Sequence, residues 1–157
     1  MSTSETGRAS LRAILLIAHG SRHVPANDDL RAIAARLAAS GTYPIVEAGF
    51  LELAGPDIAT AGASCVDRGA TRILMIPYFL SAGVHLLRDL TASRDALRTR
   101  FPGVEVLLGP PLGPDPLLDR LVLERVEGLD AHGAPHAIDA ADPVAMAERY
   151  APMGGHD

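Results

Sequence analysis

The sequence predicts an α/β fold, a single doubly wound domain on a four-stranded parallel sheet. Three observations carry this. Four short apolar runs of strand length alternate with stretches of helical apolar spacing. Gly or Pro punctuates most junctions between them. The length, 157 residues, suits one domain of this kind.

The elements follow in order. Residues 13–18 form the first strand. Pro25-Ala26-Asn27-Asp28 then supplies turn and N-cap chemistry, and Leu30, Ile33, Ala34 and Leu37 recur at helical spacing. Gly41 and Pro44 precede a second strand over 45–51. Pro56 suits the first turn of a second helix, with Ile58, Gly62 and Cys65 or Val66 inward and Gly69 as its stop. The third strand is 72–77, followed by a long turn to His85. A third helix covers 86–100 with Leu86, Leu90 and Leu97 inward. Pro102-Gly103 turns into a fourth strand over 104–108. A Gly/Pro-rich loop over 109–116 leads to a last helix carrying Leu117, Leu118, Leu121, Val122 and Val126. All-parallel strands with helical crossovers have both sheet faces covered.

The expected organisation is a disordered leader over 1–11, an α/β domain over 12–128 and an appendage over 129–157. The leader has no apolar core and is not a secretory signal. The appendage is rich in Ala, Pro, Gly and Asp and lacks a sustained apolar period. No apolar run approaches the length of a membrane span, so no membrane partner is expected. The formal charge of -5 argues against nucleic acid. A single cysteine, Cys65, excludes an internal disulfide and fits a reducing cytoplasm.

Two histidines stand out. His19 follows the first strand in Ala18-His19-Gly20-Ser21-Arg22, and His85 closes Ser81-Ala82-Gly83-Val84-His85 after the third. In open α/β sheets, ligands bind beyond the carboxyl ends of the strands, where strand order reverses. With strand order 2-1-3-4, both histidines reach that point from neighbours about 4.8 Å apart. Two imidazoles without thiolates hold a divalent ion loosely, which suits a metal in transit or proton transfer better than structural ligation. The competing account is hydrogen bonding within each turn.

These residues resemble a known family. His19-Gly20-Ser21-Arg22, Phe50-Leu51-Glu52, Pro77-Tyr78-Phe79-Leu80-Ser81-Ala82-Gly83-Val84-His85 with Arg88-Asp89, and Gly109-Pro110-Pro111-Leu112-Gly113 are similar, in this order, to the small sirohydrochlorin chelatases of the CbiX/SirB type. The resemblance implies half of a bilobal chelatase, pairing as a homodimer. It also implies insertion of a divalent metal (Co2+, Fe2+ or Ni2+, cobalt favoured and iron next) into sirohydrochlorin, in cobalamin or sirohaem synthesis. The metal is substrate, and no tightly bound cofactor is expected. The family's metal-binding histidines match His19 and His85, the first also the proton acceptor. Macrocycle contacts match Leu80, Ser81, Ala82, Gly83, Val84 and His85, and the position of Gly55, which offers only backbone.

Such chemistry has a physical logic here. Insertion removes pyrrole protons and strips ligands from the metal. Neutral imidazole accepts protons, and weak coordination lets the ion leave. Arg22 and Arg88 can pair with peripheral carboxylates, surface ion pairs being the alternative. Glu52 either orients a histidine, relays a proton or is a solvated strand-end carboxylate. Asp89 reads as a first-turn acid of the third helix, and Cys65 as a buried small apolar residue. His132, His136 and His156 are widely spaced and read as incidental. A non-catalytic metal-binding or metal-delivery protein is the alternative function. A phosphoryl-transfer enzyme with His19 as nucleophile ranks last, because it needs more basic residues around the phosphate.

Overall fold

A computed structural model describes residues 10–133 of the chain. The leader up to residue 9, and the appendage beyond residue 133 with His136 and His156, lie outside the described residues. The chain divides into two compact units, Met1–Leu112 and Gly113–Asp157.

In the first unit, β1 (Arg12–Ala18), α1 (Val24–Ala39), β2 (Ile45–Phe50), α2 (Ile58–Asp67), β3 (Arg72–Pro77), α3 (Val84–Arg100) and β4 (Glu105–Leu108) alternate as expected. All pairings are parallel and the order is β2-β1-β3-β4. β1 is therefore central and β2 lies at one edge. The order reverses between β1 and β3, which places the switch point where the sequence assumed it.

Two apolar layers sandwich the sheet. On one face, Ala13, Leu15, Ile17, Ile73 and Met75 pack with Ile58, Ala61 and Cys65 of α2 and Leu90 and Leu97 of α3. On the other, Leu16, Val46, Ala48 and Phe50 meet Leu30 and Ala34 of α1. Burying each of the larger side chains contributes about 1.5–3 kcal/mol. Helices α2 and α3 approach closely because Gly62 has no side chain, and a Cβ there would lie 2.6 Å from Leu97 Cδ2.

Helix starts differ from the sequence reading in instructive ways. α1 begins at Val24 with His23 as its N-cap and Pro25 in the first turn, so Asn27 and Asp28 are inside the helix rather than capping it. The fixed φ of proline suits that first turn. For α2, the capping residue is Asp57, whose side chain accepts from the Thr60 N–H at 2.8 Å. Pro56 therefore precedes the helix, joined to Gly55 by a cis peptide bond. α3 starts at Val84 with Gly83 as N-cap, which puts His85 in the first helical turn rather than ahead of it.

The second unit holds α4 (Pro116–His132). Its cap is Asp115, which accepts from the Leu117 N–H at 2.8 Å, and Pro116 opens the helix. Gly133, at φ 58, closes it.

Candidate functional site

The carboxyl end of β1 builds the centre of the site. Pairing with β2 continues past both strands: Leu51 N–H donates to Ala18 O at 3.1 Å, and Glu52 N–H to His19 O at 2.9 Å. Between them Gly20 adopts φ +96, and a Cβ at that position would sit 1.7 Å from Glu52 O. Only glycine fits that approach. After Glu52 the chain reverses through Leu53, a non-glycine residue at φ 60. Such backbone is costly and concentrates at functional sites.

This backbone brings two side chains together. His19 Nε2 lies 2.7 Å from Glu52 Oε1. A carboxylate oxygen only accepts, so Nε2 is on the donor side of this contact and Nδ1 is the ring nitrogen outside it. Glu52 thus touches His19 while its side chain stays 57% exposed. The pair lines a cavity of about 480 Å3 with Leu51, Leu86 and Asp89.

Asp89 corrects the sequence reading. It is not in the first turn of α3, which carries no acidic residue. It is one turn further on, facing the same cavity as His19 and Glu52. The missed signal is spacing: Asp89 follows His85 by four positions, which puts both on one helix face. Among the described residues, no group of three or more His, Cys, Asp or Glu side chains is close enough to hold a metal ion. His85 is exposed in the first turn of α3 and does not line the His19 cavity.

The turn between β3 and α3 is held at its base. Tyr78 N–H donates to Ile17 O at 2.7 Å, and Leu112 N–H to Phe79 O at 2.9 Å. Beyond that base, Leu80 is 68% and Val84 63% exposed. Ser81, Ala82 and Gly83 complete the turn, and nothing within 4 Å would meet a Cβ on Gly83. Val84 and Arg88 line a second cavity of about 400 Å3 along α3, with Leu87, Thr91, Ala92 and Asp95. Of the expected site residues, His19 and Glu52 thus line one hollow and Val84 and Arg88 the other. Arg22 and Arg88 are exposed and make no ion pair among the described residues. Gly55 contributes backbone whose carbonyl already accepts from Arg31 at 2.7 Å.

One further residue went unrecognised in the sequence. Asn27 of α1 is 5% exposed, the one buried polar side chain among the described residues. Its Oδ1 accepts from Ser21 N–H at 2.9 Å and its Nδ2 donates to Ser21 O at 2.7 Å.

Residues 13–129 match the CbiX family model. A sirohydrochlorin ferrochelatase of Priestia megaterium is 35% identical over 122 residues, covering 76% of this chain and 46% of that protein. A sirohydrochlorin cobaltochelatase of Methanococcoides burtonii is 34% identical over 121 residues, covering 71% of this chain and 92% of that protein. Among solved structures, SirB from Bacillus subtilis with Fe3+ is 32% identical at a TM-score of 0.69, covering 75% of this chain and 47% of that one. The chain spans about half the length of the curated ferrochelatases it matches.

Proposed function

The chain belongs to the CbiX family, and from that membership we propose that it inserts a divalent metal ion into sirohydrochlorin. Cobalt is the favoured substrate metal and iron the next. One observation carries the reading. A histidine and a carboxylate, His19 and Glu52, lie 2.7 Å apart beyond the carboxyl ends of β1 and β2 and line one cavity.

The chemistry follows from that pair. Insertion exchanges two pyrrole protons for one M2+ ion, so the site must hold the ion and receive protons. His19 Nδ1 is the available base and ligand. Glu52 fixes the ring and stabilises the imidazolium once a proton arrives. His85 shares the ion from the start of α3. Asp89, on the same helix face as His85, adds a carboxylate beside the cavity. Nitrogen and oxygen donors without thiolate release an ion readily, and at equal supply such a set prefers cobalt to iron.

The macrocycle lies over the turn of Leu80, Ser81, Ala82, Gly83 and Val84, whose apolar tips are exposed. Arg22 and Arg88, unpaired within the described residues, meet its peripheral carboxylates. Gly55 borders the ring through backbone only. A flat ring has two faces and this sheet end covers one of them, which supports a homodimer as the working form. Compartment follows from the single cysteine: Cys65 is a free, buried thiol, which fits a reducing cytoplasm. No helix among the described residues is long and apolar enough to cross a membrane.

The test is an insertion assay with sirohydrochlorin and Co2+, Fe2+ or Ni2+, read by the tetrapyrrole absorption spectrum. The purified chain should accelerate insertion. His19→Ala and His85→Ala should each lower the rate by about 100-fold or more. Metal binding with no spectral change in the tetrapyrrole would favour a delivery protein instead.

A further inference from the structure

We propose that Asn27 is a positioning residue: from the first helix it sets the conformation of the turn that carries His19. The proposal rests on the chelatase reading for its kinetic part and on geometry for the rest.

The turn 19–21 is pinned on two sides. On the β2 side, Glu52 N–H holds the His19 carbonyl at 2.9 Å. On the α1 side, Asn27 holds both backbone polar groups of Ser21, at 2.9 and 2.7 Å. Between these anchors lies Gly20, at φ +96, the conformation most easily lost if either anchor is released. The side chain of Ser21 is engaged as well, its Oγ accepting from His23 N–H at 3.0 Å.

The orientation of the Asn27 amide is unambiguous. A backbone N–H only donates and a backbone carbonyl only accepts, so Oδ1 must face the first and Nδ2 the second. Asparagine fits both requirements at this reach. Aspartate lacks the donor, leucine lacks both groups, and glutamine is one methylene longer. Burial makes the match consequential. Both bonds are part-buried, so turn polar groups that lose the amide lose a fixed partner, and the turn shifts to find a new one. His19 is two residues from that point, so its imidazole moves with it. A polar residue on the buried side of α1, otherwise formed by Leu30 and Ala34, is therefore explained by the turn it holds.

The experiment uses the full chain and four variants. Asn27→Leu removes both bonds while keeping the number and branching of the side-chain heavy atoms. Asn27→Asp and Asn27→Ser keep an acceptor and lose the amide donor. Leu37→Ala removes apolar packing from the same helix and serves as the control for lost stability. Two readouts are taken alongside thermal melting: Co2+ titration by visible absorption, and the split of kcat against KM for sirohydrochlorin.

Asn27→Leu should weaken Co2+ binding about tenfold and lower kcat by a similar factor, with KM changed less than about twofold. The aspartate and serine variants should fall between it and wild type, and they decide the matter if Asn27→Leu does not fold. Leu37→Ala should lower the melting temperature while leaving both readouts in place. Folded Asn27 variants that bind Co2+ and turn over as wild type does would overturn the proposal, as would equal changes in Leu37→Ala. Wild-type protein that inserts no metal would overturn the chelatase reading instead, and the Co2+ titrations alone then decide the role of Asn27.

Discussion

His19 Nε2 and Glu52 Oε1 stand 2.7 Å apart, with side chains 60% and 57% exposed. At that exposure an ion pair adds little to stability. On the chelatase reading proposed above, the contact serves to orient the imidazole. Glu52→Gln should therefore leave the melting temperature within about 2 °C of wild type while Co2+ affinity or insertion rate falls about 10- to 100-fold. A melt and a single-turnover insertion trace check both halves.

Gly20→Ala acts on the backbone beneath that pair. The new Cβ would meet Glu52 O at 1.7 Å in a conformation that L side chains rarely adopt. Backbone oxygen cannot rotate aside, so the two strand ends must part. The expected loss is about 2 kcal/mol or more in urea unfolding. Insertion should fall as well, because the carbonyl of His19 is bonded to Glu52 N–H at the same place.

Gly62→Ala tests the α2–α3 packing, remote from His19. Alanine favours the helix by about 1 kcal/mol, which opposes the clash. The clash is with Leu97 Cδ2 at 2.6 Å, and Leu97 is 1% exposed, so its tip has nowhere to turn. Overpacking should win, giving a net loss of about 1 kcal/mol. Adding Leu97→Val should recover part of it. Denaturant midpoints of the three proteins settle the sign.

Stability should fall in alkaline solution through Cys65. Burial, followed by the charge of Glu47, pushes its thiol up from 9.0 to about 12. Above about pH 9 the unfolded chain releases a proton that the folded chain keeps, so unfolding becomes easier. The slope is about 1.4 kcal/mol per pH unit, and it persists until the folded thiol itself ionises. Below pH 9 this group contributes no slope. Cys65→Ala should remove this component, read as the difference between the two proteins' urea midpoints at pH 8 and pH 10.5.

Much of this was legible in the residues, and the exceptions have physical causes. Strand positions followed from apolar runs, and β3 matches its expected bounds of Arg72–Pro77. The switch point followed from the ordinary winding of such sheets. Helix starts were less legible because several residue types compete for a cap. Asn27 and Pro56 both carry cap-like chemistry, yet tertiary bonding claimed Asn27, and Asp57 had the better geometry for α2. The same displacement hid Asp89. Starting α3 two residues earlier moves Asp89 out of the first turn. Glu52 could be placed at a strand end, but its contact with His19, next to the positive φ of Leu53, is announced by no local pattern.

The central position of β1 separates the two histidines in time. β1 is paired along both edges, to β2 and to β3. Freeing the anchor of His19 requires rupture of the sheet, an event close to global unfolding, and its neighbouring amides should be among the slowest to exchange with solvent. His85 sits in the first turn of a helix, where fraying is fast and local. An ion shared by the two would thus be held by one slow jaw and one fast jaw, and its departure would follow the clock of the helix end.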